Sequence, residues 1–247
     1  MKRNFWGRFP ALILCLSLLS ACRTAIPASS EPSAGVGREG GEFSTNGTLT
    51  VCVDAGHGFD DIGTSSSYLG GLNEKDITLD IVLTLRDCLK EKGIQVILTH
   101  DGTAFPKTLA DDGNNLFNPQ ERISYADTLD IDYFVSIHCD SYEADEAVQG
   151  TRVYYSNGTK HTEMSAGAAK AIQDMVNEEF PDAKKCITKD MAKDNAYYVI
   201  REAKVPSALI EIGFVTNRQD AENMISEQWR DSFAAAVAEG IYAFFTE

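Results

Sequence analysis

The sequence predicts a single α/β domain: a central, mostly parallel twisted sheet of about six strands, flanked by helices. Three observations lead there. After Gly47, short β-type apolar runs alternate with stretches of helical periodicity, the pattern of a sheet with helices on its faces. The chain of 247 residues is 43% hydrophobic and 24% charged, a globular profile that excludes both general disorder and a multi-span membrane protein. And two of only four histidines directly follow predicted strands, at the ends where open α/β sheets collect ligands.

The amino terminus reads as an address. Lys2, Arg3 and Arg8 precede an apolar run from Ala11 to Leu19, the length of a signal-peptide core and too short for a comfortable membrane span. It ends in Leu19-Ser20-Ala21-Cys22, which resembles a bacterial lipobox. Residues 1–21 are therefore expected to be a lipoprotein signal peptide, with Cys22 lipidated and the protein exported and tethered to the outer face of the cell membrane. Residues 22–47 are rich in Pro, Ser, Gly, Thr, Ala and Glu, with Phe43 the one aromatic; too little apolar surface is present to offset the entropy of ordering, and a flexible leash is expected.

Within residues 48–247, Leu49 to Asp54 is a buried strand and Gly56-His57-Gly58 follows it. Asn73 can cap a helix from Glu74 to about Lys92, where Ile77, Ile81, Leu85, Cys88 and Leu89 form one stripe and Gly93 stops it. Gln95 to Thr99 is the second strand. A long polar loop from His100 to Asn118 leads to Pro119, suited to a helix start; that helix reaches about Leu129. The strand Tyr133 to Ile137 follows, then a strand near Gly150 to Tyr155, a helix from about Thr162 to Phe180 and an extended segment near Tyr197 to Ile200. Ser207 to Ile212 is the last strand, and helices near Asp220 to Ser226 and Gln228 to Phe245 close the domain.

Charge narrows the partners. There are 22 Lys+Arg against 37 Asp+Glu, a formal −15; without the three basic residues of the amino-terminal segment, 19 remain against 37, or −18. Such a field repels phosphate backbones, so no nucleic-acid partner is expected. Of six cysteines, Cys15 lies in the signal segment and Cys22 is the lipidation candidate; Cys52, Cys88, Cys139 and Cys186 are expected as free thiols, and no CxxC pair suggests a cysteine zinc site.

The chemistry concentrates on a few side chains. His57 and His138, each after a strand, are placed to share a metal, with Glu74 in the first helical turn as the candidate third ligand and a coordination position left for water. Spacing alone leaves structural histidines as an equal alternative. Glu211 lies among Leu209, Ile210 and Ile212 in what reads as a central strand; a carboxylate there is costly to bury unless it is paired or works beside a metal.

Taken in order, Val53-Asp54-Ala55-Gly56-His57-Gly58, Asn73-Glu74-Lys75-Asp76, Ser136-Ile137-His138-Cys139-Asp140 and Leu209-Ile210-Glu211-Ile212-Gly213-Phe214-Val215-Thr216-Asn217 resemble the zinc-dependent N-acetylmuramoyl-L-alanine amidases of bacterial cell-wall turnover. Leu98-Thr99, Glu121-Arg122, Ala126-Asp127 and Val205-Pro206 support the match. The resemblance implies that His57, Glu74 and His138 hold one Zn2+ per chain, that Glu211 is catalytic, and that the substrate is peptidoglycan, cut at the amide between the MurNAc lactyl group and L-Ala. A monomer is expected. Ala55 replaces the family's usual Pro before Gly-His-Gly, and His100 stands where an Arg is common; His100 is expected at the substrate rim or in a structural position. Cys139 should point into packing because strand neighbours face opposite ways, and His161 is a surface or helix-start residue. Some members carry a helical plug over the zinc site; here only Ser156 to about His161 separates strand from helix, and no plug is expected. Two other readings stay open: another zinc metallopeptidase acting on stem peptides, and a non-catalytic lipoprotein that binds peptidoglycan.

Overall fold

A computed structural model describes residues 47–104, 106 and 118–246. The signal segment 1–21, the lipidation candidate Cys22 and nearly all of the 22–47 leash lie outside the described residues. No helix among the described residues is long and apolar enough to cross a membrane.

Six strands form one sheet: β1 (Thr50–Ala55), β2 (Gln95–Leu98), β3 (Tyr133–Asp140), β4 (Arg152–Asn157), β5 (Ile187–Ala192) and β6 (Ser207–Phe214), in the spatial order β2-β1-β3-β6-β4-β5. All neighbours run parallel except β4 and β6, so β4 and β5 point opposite to the other four. The helices are α1 (Glu74–Glu91), α2 (Pro119–Ala126), α3 (Thr162–Glu179), α4 (Tyr198–Arg201), α5 (Arg218–Ile225) and α6 (Glu227–Thr246).

The period-2 alternation of the central strands divides the core into two faces. Val51, Val53, Tyr133, Val135, Ile137, Cys139, Ala208, Ile210 and Ile212 pack beneath α1, α3 and α6. Cys52, Phe134 and Leu209 point the other way, beneath α2 and α4. That second face carries the polar residues: Asp54, Ser136, His138 and Glu211 share its parity along β1, β3 and β6. An apolar strand with isolated polar residues on one parity is how this sheet keeps a buried core and still aims chemistry from its face.

Helix starts follow local capping chemistry. The Asn73 N–H donates to the Asp76 carboxylate at 3.0 Å, which fixes Glu74 in the first turn of α1. At α2 the Asn118 side chain accepts from the Glu121 N–H and the Glu121 carboxylate from the Asn118 N–H, both at 2.9 Å, with Pro119 in the first turn.

Two segments depart from the sequence expectation. Tyr198–Arg201, overlapping the stretch Tyr197 to Ile200 expected to be extended, is a single helical turn; Val199 and Ile200 are buried against the second face. A short apolar run does not distinguish a strand from a buried helical turn. The sixth strand is instead Ile187–Ala192, a largely exposed edge with Lys189 and Asp190 in it. Polar residues suit an edge, where they discourage further pairing, but they erase the apolar pattern that would reveal a strand. Only Gly158 to His161 connect β4 to α3, so no helix is inserted there. Cys52, Cys88, Cys139 and Cys186 are free, and Cys139 packs in the core under the helices.

Candidate metal centre and active site

At the carboxyl ends of β1 and β3, His57, Glu74 and His138 each present a ligand atom, all within 4.8 Å of one another. His57 Nε2 lies 3.1 Å from Glu74 Oε2, and His138 Nδ1 lies 3.0 Å from Glu74 Oε1. Glu74 is itself immobilised: Oε2 accepts the Thr64 N–H at 2.8 Å and Oε1 the Cys139 N–H at 2.9 Å. Burial pushes its carboxyl up, but the two imidazoles outweigh burial and hold it well below the usual carboxylate range. The carboxylate is thus ionised and pinned between two nitrogens.

Each ligand has a supporting contact. His57 Nδ1 lies 2.8 Å from Asp61 Oδ2, which orients the ring and leaves Nε2 for the centre. Burial lowers the His57 pKa, yet Glu74 and Asp61 together raise it above its ordinary value. His138 rests on Gly56: a Cβ there would fall 2.4 Å from His138 Cε1 and 2.5 Å from Nδ1. Gly56→Ala is accordingly expected to displace the imidazole and to weaken metal binding about tenfold or more, measured by competition with a chromogenic chelator. Unchanged affinity would mean that the ring can be placed elsewhere at no cost to the site.

The loop that carries His57 is strained. His57 and Phe59 have φ of 62° and 55°, the left-handed region that residues with side chains rarely occupy. A buried brace holds it. Arg122 donates to the carbonyls of Ala55 at 2.6 Å and His57 at 2.5 Å, and to Asp54 Oδ1 at 2.7 Å. Asp54 also accepts from Thr99 at 2.6 Å and Ser136 at 2.5 Å. Burial pushes the Asp54 carboxyl up, and Arg122 with the two hydroxyls reverses this and takes it below its ordinary value. His100 sits beneath the same loop, with Nε2 3.0 Å from the Ala55 carbonyl and 3.1 Å from that of His57, so its position is structural. His161 precedes α3 at its N-cap position.

Glu211 stands beside this centre. It is paired in register with His138 across β3 and β6, and the ladder shifts register between His138 and Asp140, a bulge at the point where strand ends turn toward the cleft. Glu211 is 6% exposed, and its Oε2 has no hydrogen-bond partner among the described residues. Burial, and then the negative charges of Asp140 and Glu74, push its pKa well above the ordinary carboxylate value, against the pull of Arg152. A cleft of about 330 Å3 joins Glu211 to His57, Glu74 and His138, with Asp140 and Tyr197 on its walls. The structure therefore brings together all four residues singled out in the sequence. Asp54 and Arg122 stand in the motifs quoted above without a role, and Asp61 leaves no sequence signal; Asp54 sits in an apolar strand run as Glu211 does, which marks it in the same way.

Two imidazoles at strand ends and a carboxylate in the first turn of α1, with a second, buried carboxylate beside them, define a hydrolytic enzyme on an α/β sheet. The chain belongs to the N-acetylmuramoyl-L-alanine amidase family (Amidase_3), which it matches over residues 51–243. It is 32% identical to the uncharacterized protein YqiI of Bacillus subtilis over 199 residues, 80% of this chain and 85% of that one. It is 26% identical to the germination-specific N-acetylmuramoyl-L-alanine amidase of Bacillus subtilis, covering 80% of each. Among solved structures it resembles the N-acetylmuramoyl-L-alanine amidase AmiC2 of Nostoc punctiforme, with a TM-score of 0.67 and 29% identity, covering 81% of this chain and 98% of that one.

Proposed function

We propose that the chain is a zinc-dependent N-acetylmuramoyl-L-alanine amidase, exported and lipid-anchored through Cys22, that hydrolyses peptidoglycan at the amide between the MurNAc lactyl group and L-Ala. The observation that carries this reading is the buried, unpartnered Oε2 of Glu211 beside the His57–Glu74–His138 cluster.

The donor set suits zinc: two imidazole nitrogens and one carboxylate, a common catalytic combination that leaves a position open. Bound there, zinc supplies Lewis acidity that polarises the scissile carbonyl and acidifies water. The protein does the rest. Glu211, buried beside the cluster with Oε2 unpartnered, accepts the proton of the attacking water and passes it to the L-Ala nitrogen as that group departs. Asp61 keeps His57 oriented, and the Arg122 brace keeps the strained loop in place.

The test is digestion of purified peptidoglycan with mass analysis. Expected products are intact stem peptides with a new L-Ala amino terminus, formed with added zinc and lost on chelation. Cuts further along the stem would replace this reading with that of a peptidase, and binding without turnover in zinc would make the chain a wall-binding lipoprotein.

A further inference from the structure

Arg152 is a cation beside this cleft, next to its lining residues Asp140 and Glu211, and the chemistry above leaves it unused. It opens β4 with its Cα paired to that of Glu211 across the β4–β6 ladder. Its Nη1 donates to Asp140 Oδ2 at 3.2 Å, and its guanidinium carbon lies 4.2 Å from the centre of the Phe214 ring. These contacts, with a side-chain hydrogen bond to Tyr154, fix the plane of the group and leave further donors of its five-donor fork available, and a fifth of the side chain stays exposed. The other guanidinium near the centre, that of Arg122, is 4% exposed and committed to Asp54 and two carbonyls.

The surroundings make such a cation consequential. The chain carries a formal −15, and Asp61, Asp140 and Glu211 all line the cleft. With the zinc charge taken up by its ligands and the scissile carbonyl, a substrate carboxylate further along the cleft gains from a dedicated positive partner in this acidic field. A planar guanidinium with donors to spare is the side chain best suited to take a carboxylate in two hydrogen bonds.

Sheet order says which carboxylate. Across β3, β6 and β4 the order is His138, Glu211, Arg152: metal ligand, proton carrier, cation. The substrate has the matching order of scissile carbonyl, departing L-Ala nitrogen, and next the residue that follows L-Ala. Neighbouring strands are about 4.8 Å apart, and an extended peptide advances about 3.3–3.6 Å per residue, so the group reaching Arg152 is on that following residue.

On the amidase reading, on which this rests, we propose that Arg152 is the specificity-determining residue: it receives the free α-carboxylate of the stem residue after L-Ala and favours this acid over its amidated form.

The experiment uses the full-length, zinc-loaded protein and two matched substrates, MurNAc-L-Ala-D-Glu and MurNAc-L-Ala-D-isoglutamine, which differ only in that group. The native chain is expected to cleave the acid with a kcat/KM at least about fivefold higher. In Arg152→Gln the acid should lose about 10–100-fold, mainly through KM, so that the ratio between the substrates collapses toward one. Arg152→Lys keeps the charge without the fork and should retain part of the ratio; it serves as the readout if the Gln variant fails to fold. A role confined to holding Asp140 or the strand would slow both substrates equally and keep the ratio, which would overturn the proposal, as would a native enzyme with no preference. Cleavage of neither dipeptide by the native enzyme, with peptidoglycan digested, would overturn the proposal alone; failure on peptidoglycan as well would overturn the amidase reading with it.

Discussion

Glu211→Gln is expected to lower the turnover of peptidoglycan by about 10²–10⁴-fold, the range associated with a positioned general acid–base group, while zinc stoichiometry stays at that of the native protein. The amide has the shape of the carboxylate but cannot carry the proton from water to the departing nitrogen. It should not destabilise the fold. The native carboxyl is buried with one oxygen unpartnered, and a neutral isostere of the same shape leaves no charge to bury there. Thermal unfolding, metal content and product formation measured on one preparation separate the possibilities. Near-native turnover would remove Glu211 from the chemistry; loss of zinc along with turnover would make it a part of the metal site instead.

Much of this arrangement could be read in the sequence because the sheet obeys a period of two. Once β3 and β6 are recognised as buried strands, the parities of His138 and Glu211 follow, and the surprising residue is the charged one among aliphatic neighbours. Glu74 was legible from its place in the first turn of a capped helix. The brace was harder. Asp54 has the same signature as Glu211, but Arg122 lies on a helix 68 positions away in sequence, and nothing local shows that its guanidinium reaches under the His57 loop. Asp61 sits in an irregular loop whose course depends on two left-handed residues, His57 and Phe59, which no periodicity encodes. Strand β5 escaped because its stability comes from pairing with β4 and not from a buried face. Tyr198–Arg201 is helical where its apolar run suggests an extended segment, because burial against Tyr154 and Leu209 makes any short conformation apolar.

The brace carries the largest expected effect on stability. Arg122→Met should cost about 3–5 kcal/mol, because it leaves the carboxylate of Asp54 buried without its counter-ion. Asp54 is fully buried and Arg122 is 4% exposed, so water cannot take the place of the lost partner. Thr99 and Ser136 still donate to Asp54 and should moderate the loss without cancelling it. Replacing both charges, in Asp54→Asn with Arg122→Met, removes the unpaired ion and should recover part of the stability, giving a coupling of more than about 1 kcal/mol in a double-mutant cycle by urea unfolding. Function should not recover with it. The carbonyls of Ala55 and His57 lose the Arg122 donor in either variant and keep only His100 Nε2, and the left-handed conformation at His57 then has less to hold it, so zinc affinity stays low even where the fold is restored. If Arg122→Met unfolds within about 1 kcal/mol of the native chain, the pair is not what stabilises this face; if the double variant binds zinc as tightly as the native protein, the loop holds its strain without the guanidinium.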